Sequence, residues 1–192
     1  PFNPLSDLAF IETETEETEG LSEYKLIELS KVTDLRYGEN PHQKAALYST
    51  EETGGIARAE QLHGKEMSYN NYVDAEAAWN LVQDFDELAV TIIKHTNPSG
   101  VGTGANNLEA YKRALSTDPI SAFGGIVALN RTVDAETAKA INEVFTEVVV
   151  APDFESEALE VFQTKKNLRV LRVAETKNRS NYTFKQISGG ML

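Results

Sequence analysis

Residues 88–104, LAVTIIKHTNPSGVGTG, decide how this chain folds. The stretch opens on an apolar run rich in β-branched side chains, which is typical of a buried strand in a parallel sheet. Lys94 and His95 end that run, and residues 97–104 follow as what we interpret as a chain-breaking, glycine-rich loop. A cation and an imidazole are therefore expected at the carboxyl end of a buried strand, the edge at which open α/β sheets bind ligands.

Predicted helices and strands alternate on both sides of this stretch. The patterns predict helices over residues 73–85, 107–115, 135–145 and 156–163, and further strands over 45–48, 126–129, 148–150, 168–173 and 183–187. Asn71 or Asp74 is expected to cap the first helix and Asp134 the third. Trp79 is interpreted as a packing residue and His63 as a structural one. The alternation predicts an α/β fold with a largely parallel sheet and helices on both faces, in three α/β/α layers.

Length and composition limit the functions that are compatible with the chain. Its 192 residues suffice for one sizeable domain. The 30 acidic and 18 basic residues leave a net charge of −12, which argues against a duplex nucleic-acid partner but allows an anionic ligand in a locally basic cleft. The sequence contains no membrane-spanning apolar run, no amino-terminal signal pattern and no cysteine, so no membrane partner is expected and a cytoplasmic location is predicted.

Residues 1–30 differ in composition from the rest of the chain. They are strongly acidic with Lys25 as their single base, and residues 12–19 consist of Thr and Glu alone. We interpret this segment as an exposed acidic arm that connects domains, and residues 31–192 as the folded unit.

A polar, turn-rich loop at residues 36–43, RYGENPHQ, offers several hydrogen-bond donors. Arg36 suits a phosphate group because its planar guanidinium can bind two oxygens at once. The alternative is an ion pair between Arg36 and Asp34 or Glu39.

Lys94 and His95 leave more than one chemistry open. His95 can act as a general base while Lys94 stabilises an oxyanion; alternatively, Lys94 forms a Schiff base with a carbonyl compound, as in pyridoxal enzymes. Both side chains reach one ligand only if the backbone turns, because neighbours in a strand point to opposite faces, and we expect residues 97–100 to supply that turn. No metal site is expected, since the three histidines lie far apart in sequence. A non-catalytic module for nucleotide binding or dimerisation is the alternative to an enzyme.

Four motifs resemble one known family in their order and spacing: RYGENPHQ at 36–43, SYNN at 68–71, KHTNPSG at 94–100 and SAFGG at 121–125. That family is the bifunctional AICAR formyltransferase/IMP cyclohydrolase of purine biosynthesis. The resemblance implies that residues 31–192 are the first half of the formyltransferase domain, without the cyclohydrolase domain and the second half. It also implies a cytidine-deaminase-like fold, here without zinc, because the chain has no cysteine to bind that metal.

The resemblance further implies transfer of a formyl group from 10-formyltetrahydrofolate, the co-substrate, to the 5-amino group of AICAR in IMP biosynthesis. His95 would be the base, Lys94 its electrostatic helper and His42 a further catalytic candidate. The implied substrate-binding residues are Arg36, Tyr37, Gly38, Asn71, Phe123, Gly124 and Glu147. Family members are intertwined homodimers, so a homodimer is expected, and the fragment alone is expected to be inactive because the missing half and the partner complete the site.

Overall fold

The computed structural model describes residues 26–50, 54–174 and 183–192. Most of the predicted acidic arm, up to residue 25, lies outside the described residues. The strands in these ranges are β1 (Ser30–Leu35), β2 (Ala45–Ser49), β3 (Glu60–His63), β4 (Ala89–Lys94), β5 (Asn97–Thr103), β6 (Gly125–Leu129), β7 (Thr146–Ala151), β8 (Arg169–Arg172), β9 (Gln186–Ile187) and β10 (Gly190–Met191). The helices are α1 (Tyr69–Val82), α2 (Asn107–Thr117), α3 (Ala135–Glu143) and α4 (Ser156–Gln163). Across these ranges, none of the helices has the length and apolar character needed to cross a bilayer.

Six strands form a central sheet in the order β3-β8-β7-β6-β4-β5. Strands β6, β7 and β8 are parallel neighbours, whereas β3, β4 and β5 join them in antiparallel pairs. The predicted α/β class is confirmed, but the sheet is mixed rather than largely parallel. The difference arises because β4 and β5 form a hairpin, where the sequence pattern predicts a strand followed by a loop.

The glycines after His95 bring β5 close to α2. A Cβ atom on Gly100 would overlap with the carbonyl oxygen of Ala114, and one on Gly102 would overlap with that of Ala110. Only glycine therefore allows the helix to lie directly on this edge strand. The interpretation of residues 97–104 as a glycine-rich loop is wrong, since residues 97–103 form β5 and its glycines serve packing against α2.

Helices cover both faces of the sheet, as predicted. On one face, Tyr111 of α2, Ile141 of α3 and Phe162 of α4 share a core with the sheet. On the other face, Ala78 and Trp79 of α1 belong to a second core. Trp79 is 3% exposed, which confirms its interpretation as a packing residue. The two cores hold the sheet between helix layers, so the side chains at its edges project from a well-packed framework.

Helix α1 begins earlier than the sequence pattern predicts. Its cap is Ser68, whose Oγ accepts the Asn71 amide at 3.2 Å, while Asn71 Oδ1 accepts the Ser68 amide at 3.1 Å. This reciprocal capping box replaces the predicted caps Asn71 and Asp74. The prediction for α3 is confirmed, because the Asp134 side chain accepts the Thr137 amide at 2.8 Å.

Strands β1 and β2 form an antiparallel hairpin that is separate from the central sheet. The sequence pattern predicts β2 but not β1, whose mostly exposed residues show no alternation of polar and apolar side chains. The loop at residues 36–43 joins these two strands and carries Arg36 and Tyr37 to the sheet edge described next. The strand predicted over residues 183–187 is shorter than expected, since only β9 pairs there, with β10.

Candidate functional site

A cleft of about 870 Å³ opens at the edge of the sheet where β4 ends. Strands β6, β7 and β8 begin at this edge, because β6 is antiparallel to β4 and parallel to β7. The cleft therefore lies at the amino ends of the parallel strands. The rule that places ligands at carboxyl ends holds here for β3 and β4, which run opposite to β6, β7 and β8, and these strand directions were not visible in the sequence.

Seven of the predicted site residues line this cleft. They are Arg36, Tyr37, Asn71, Lys94, His95, Gly124 and Glu147. Gly38 is buried within its loop, where its amide donates to the Gln43 carbonyl at 2.9 Å. Phe123 lies beside the cleft with its ring against Phe145, at a centroid distance of 5.2 Å. His42 is exposed and is not among the residues that line the cleft.

The turn between β4 and β5 consists of His95 and Thr96, with φ angles of 52° and 61°. Two positive φ angles are the signature of a type I′ hairpin turn, which normally favours Asn and Gly. Two side chains hold the turn: Thr96 Oγ1 and Asn97 Nδ2 each donate to the His95 carbonyl at 2.7 Å. The backbone does turn so that Lys94 and His95 both face the cleft, but it turns at His95–Thr96 rather than at residues 97–100.

The Lys94 side chain is held at the start of β6. Its Nζ donates to the Phe123 carbonyl at 2.6 Å, and Gly124 follows with a φ of 73°. A lysine ammonium carries three protons, so two donors are left for a ligand in the cleft. The arrangement fixes a positive charge in the cleft that His95 also lines.

Sequence reasoning missed Arg169 at the floor of the cleft. This β8 side chain is 6% exposed, and its Nε donates to the Glu66 carbonyl at 2.9 Å. Burial lowers the pKa of Arg169 from its ordinary value, and the Glu147 carboxylate opposes that shift. An arginine inside a predicted buried strand was the available signal, because such a charge is rarely buried without a partner.

Glu147 accepts contacts from two sides. Asn71 Nδ2 donates to Glu147 Oε2 at 2.8 Å, and Arg169 Nη1 lies 3.7 Å from the same oxygen. These groups orient the carboxylate at the start of β7, where it also faces the cleft. His63, by contrast, places its Nε2 3.2 Å from the Lys165 carbonyl, in keeping with its interpretation as a structural residue.

The cleft concentrates positive charge in an acidic chain. Its lining holds four basic residues, not counting His95, and three acidic ones: Arg36, Lys65, Lys94 and Arg169 against Glu66, Asp74 and Glu147. Such a local excess attracts an anionic ligand in spite of the net charge of −12. In the described part of the chain, no group of three or more His, Cys, Asp or Glu residues is arranged to hold a metal ion.

Comparison with known proteins confirms the family. The chain belongs to the AICARFT/IMPCHase bienzyme family, whose sequence profile matches residues 7–192. It is similar to the bifunctional purine biosynthesis protein PurH of Thermoanaerobacter sp. (strain X514), with 53% identity over 84% of this chain and 32% of the relative. The PurH proteins of Bacillus mycoides (strain KBAB4) and Desulfitobacterium hafniense (strain DSM 10664 / DCB-2) are 52% and 53% identical, over 86% and 84% of this chain and 33% and 32% of their own lengths. The chain thus spans about a third of the length of these relatives.

Proposed function

We propose that this chain forms one wall of a formyl-transfer site in purine (IMP) biosynthesis. The acceptor is the 5-amino group of AICAR and the donor is 10-formyltetrahydrofolate. The observation that carries the proposal is the convergence of Arg36, Lys94 and His95 on one cleft, from distant segments of a chain in this family. The helix-covered mixed sheet is compatible with a cytidine-deaminase-like fold, which we include in the proposal.

In the proposed reaction, the amino nitrogen of AICAR attacks the formyl carbon, and the bond between that carbon and N10 of the folate breaks. His95 takes a proton from the attacking nitrogen and returns it to N10, which leaves tetrahydrofolate and the formylated nucleotide. An imidazole has one nitrogen that can accept a proton and another that can donate one, which suits both transfers. Lys94 stabilises the negative charge that develops on the formyl oxygen.

The remaining cleft residues bind the nucleotide in this proposal. Arg36 takes the 5′-phosphate, and its guanidinium lies over the Tyr37 ring, 5.5 Å from the centroid, which limits its rotation. Glu147 accepts hydrogen bonds from hydroxyl or amino groups of the ligand. Asn71 orients Glu147 through the 2.8 Å hydrogen bond, in addition to any contact it makes itself. Gly124 leaves room for the nucleotide beside β6.

We further propose that the second half of the formyltransferase domain and the partner subunit of a homodimer complete this site. Residues 1–192 alone are then expected to bind AICAR weakly and to show no turnover in a folate-coupled absorbance assay. Robust turnover by these residues alone would contradict this part of the proposal. The proposed location is the cytoplasm, and the proposed partners are the two small molecules and a second subunit.

The decisive experiment measures formyl transfer in a full-length family protein that carries this sequence. We expect turnover in the parent protein and its loss in the Lys94→Ala and His95→Ala variants. Glu76→Ala is the matched control, because Glu76 is exposed on α1, contacts Asn80 and does not line the cleft. Full turnover in both cleft variants would refute the catalytic assignment, and AICAR binding without any turnover in the parent would favour a nucleotide-binding module.

A further inference from the structure

We propose that Asp74 is a positioning residue, which anchors the His95–Thr96 turn to helix α1 and so aims the His95 imidazole into the cleft. The effect on turnover rests on the formyl-transfer function proposed above. The anchoring itself rests on geometry alone.

The turn adopts a conformation that its own residues disfavour. His95 and Thr96 both have positive φ angles, and neither is glycine, asparagine or aspartate. A β-branched residue such as Thr96 is especially uncommon there, and holding it in this region costs free energy. A strained turn of this kind persists only when surrounding contacts hold it.

The hydrogen bonds within the turn support its shape only in part, and they do not fix its place. Thr96 Oγ1 and Asn97 Nδ2 both donate to the His95 carbonyl, so these contacts move with the turn. The last strand pair, Lys94 with Asn97, closes the hairpin below it. Further contacts from outside the hairpin are needed to set the direction in which His95 points.

Asp74 supplies such a contact from a different element. Its Oδ1 accepts the Thr96 amide at 2.8 Å, which joins α1 to the hairpin of β4 and β5. Helix α1 is packed firmly against the sheet through Ala78 and Trp79, so the carboxylate projects from a rigid base. A hydrogen bond to a carboxylate is shorter and stronger than one between neutral groups. Asp74 also lines the cleft beside His95, although the proposed chemistry gives it no other task.

Variants of Asp74 in the full-length family protein should lower kcat to different extents. Asp74→Asn keeps an acceptor oxygen and should retain kcat within about threefold, whereas Asp74→Ala should lower kcat by about 10²-fold, because a misplacement of about 1 Å has that effect. The KM for the nucleotide should change much less than kcat. Adding Thr96→Gly to Asp74→Ala should recover part of kcat, since glycine adopts positive φ without strain. Glu76→Ala, on the same helix, is the control and should leave both constants unchanged.

A structural readout on residues 1–192 separates this inference from the proposed function. In the parent chain, NMR should show strong intraresidue Hα–HN cross-peaks for His95 and Thr96, as positive φ requires, and slow solvent exchange of the Thr96 amide. Asp74→Ala should weaken the cross-peaks and speed the exchange, and the added Thr96→Gly should restore the turn.

Each outcome of these measurements decides the inference. Fast exchange of the Thr96 amide in the parent chain would overturn it without any variant, which also covers the case in which Asp74→Ala does not fold. An Asp74→Ala chain with unchanged cross-peaks, exchange and kcat would overturn it as well. Absence of formyl transfer in the parent full-length protein would refute the proposed function instead, and the NMR readings would still test the anchor.

Discussion

The two ends of the central sheet use similar polar side chains in different ways. At the end opposite the cleft, Asn130 is buried and its side chain bonds to backbone groups. Its Oδ1 accepts the Ala89 amide at 2.9 Å, and its Nδ2 donates to the carbonyls of Phe85 and Glu87 at 2.9 and 2.7 Å. At the cleft end, Asn71 is equally buried but donates to the carboxylate of Glu147. Asn130 therefore connects backbone segments, whereas Asn71 orients a charged group that faces the cleft.

The two ends of the sheet also differ in their charged groups and in their backbone conformation. The cleft end holds a buried arginine, Arg169, and the strained turn at His95 and Thr96. The far end holds Asp134, which caps α3 and is bonded by Thr137 and Asn107. Polar side chains that bond to backbone groups or cap a helix indicate a structural role, whereas oriented charges and strain beside a cavity indicate function.

The largest expected effect tests the cleft end. His95→Ala should lower formyl transfer by about 10²–10⁴-fold in a full-length family protein, because general acid–base catalysis is worth that much. Folding should be unaffected, since the side chain is exposed. His42→Ala is the comparison, because the structure places this other catalytic candidate outside the cleft lining, and it should cost far less. An equal loss in both variants, measured by initial rates, would remove the distinction between the two histidines.

The next effect tests the far end. Asn130→Ala should lower the free energy of unfolding of residues 1–192 by about 3 kcal/mol, because a buried amide and two carbonyls lose their partner. Urea unfolding followed by circular dichroism measures this loss. Asn71→Ala should cost about 1 kcal/mol through its capping box and should also weaken AICAR binding by about tenfold. If Asn130→Ala weakens binding as much as Asn71→Ala does, the division between the two ends fails.

The smallest effect is a pH dependence at the far end. Burial raises the pKa of Asp134, but hydrogen bonds from Thr137 and Asn107 outweigh it and hold that pKa below its ordinary value of 3.8. The folded state therefore binds the proton less tightly than the unfolded state. The stabilisation is complete above about pH 3.8 and is lost as the pH falls through the lower folded-state value.

Asp134→Ala should accordingly cost about 1 kcal/mol at neutral pH and progressively less in acid. Urea unfolding of both chains at several pH values, from neutral to below pH 3.8, measures the difference. A difference that stays constant over this range would show that the carboxylate contributes through packing rather than through its charge.

Much of the fold was predictable because its signals are local. The apolar runs at β4, β6 and β7, the α4 boundaries and the Asp134 cap follow from short patterns, and the structure has all of them. The pairing of β5 with β4 was not predictable in the same way. Its glycines indicate a loop when read along the chain, and their packing role becomes visible only with α2 in place.

The site, too, has residues that the sequence identifies and contacts that only the structure reveals. The motifs in the sequence are sufficient to nominate Arg36, Lys94 and His95, since residue type and order along the chain carry that information. Arg169 contacts Glu147, and Asp74 contacts Thr96. The residues of each pair lie far apart in sequence, so no spacing rule predicts these contacts. His42 shows the converse, because a place in the same motif as Arg36 does not bring it into the cleft lining.

By itself, the sequence determined the α/β class, the family and the chemical character of the cleft, because these depend on residue types and local periodicity. The tertiary structure alone decided that the cleft lies at the amino ends of β6, β7 and β8, and that the turn at His95 is anchored from α1. Strand direction and contacts between distant elements arise from how the two cores pack, and that packing is a property of the whole chain.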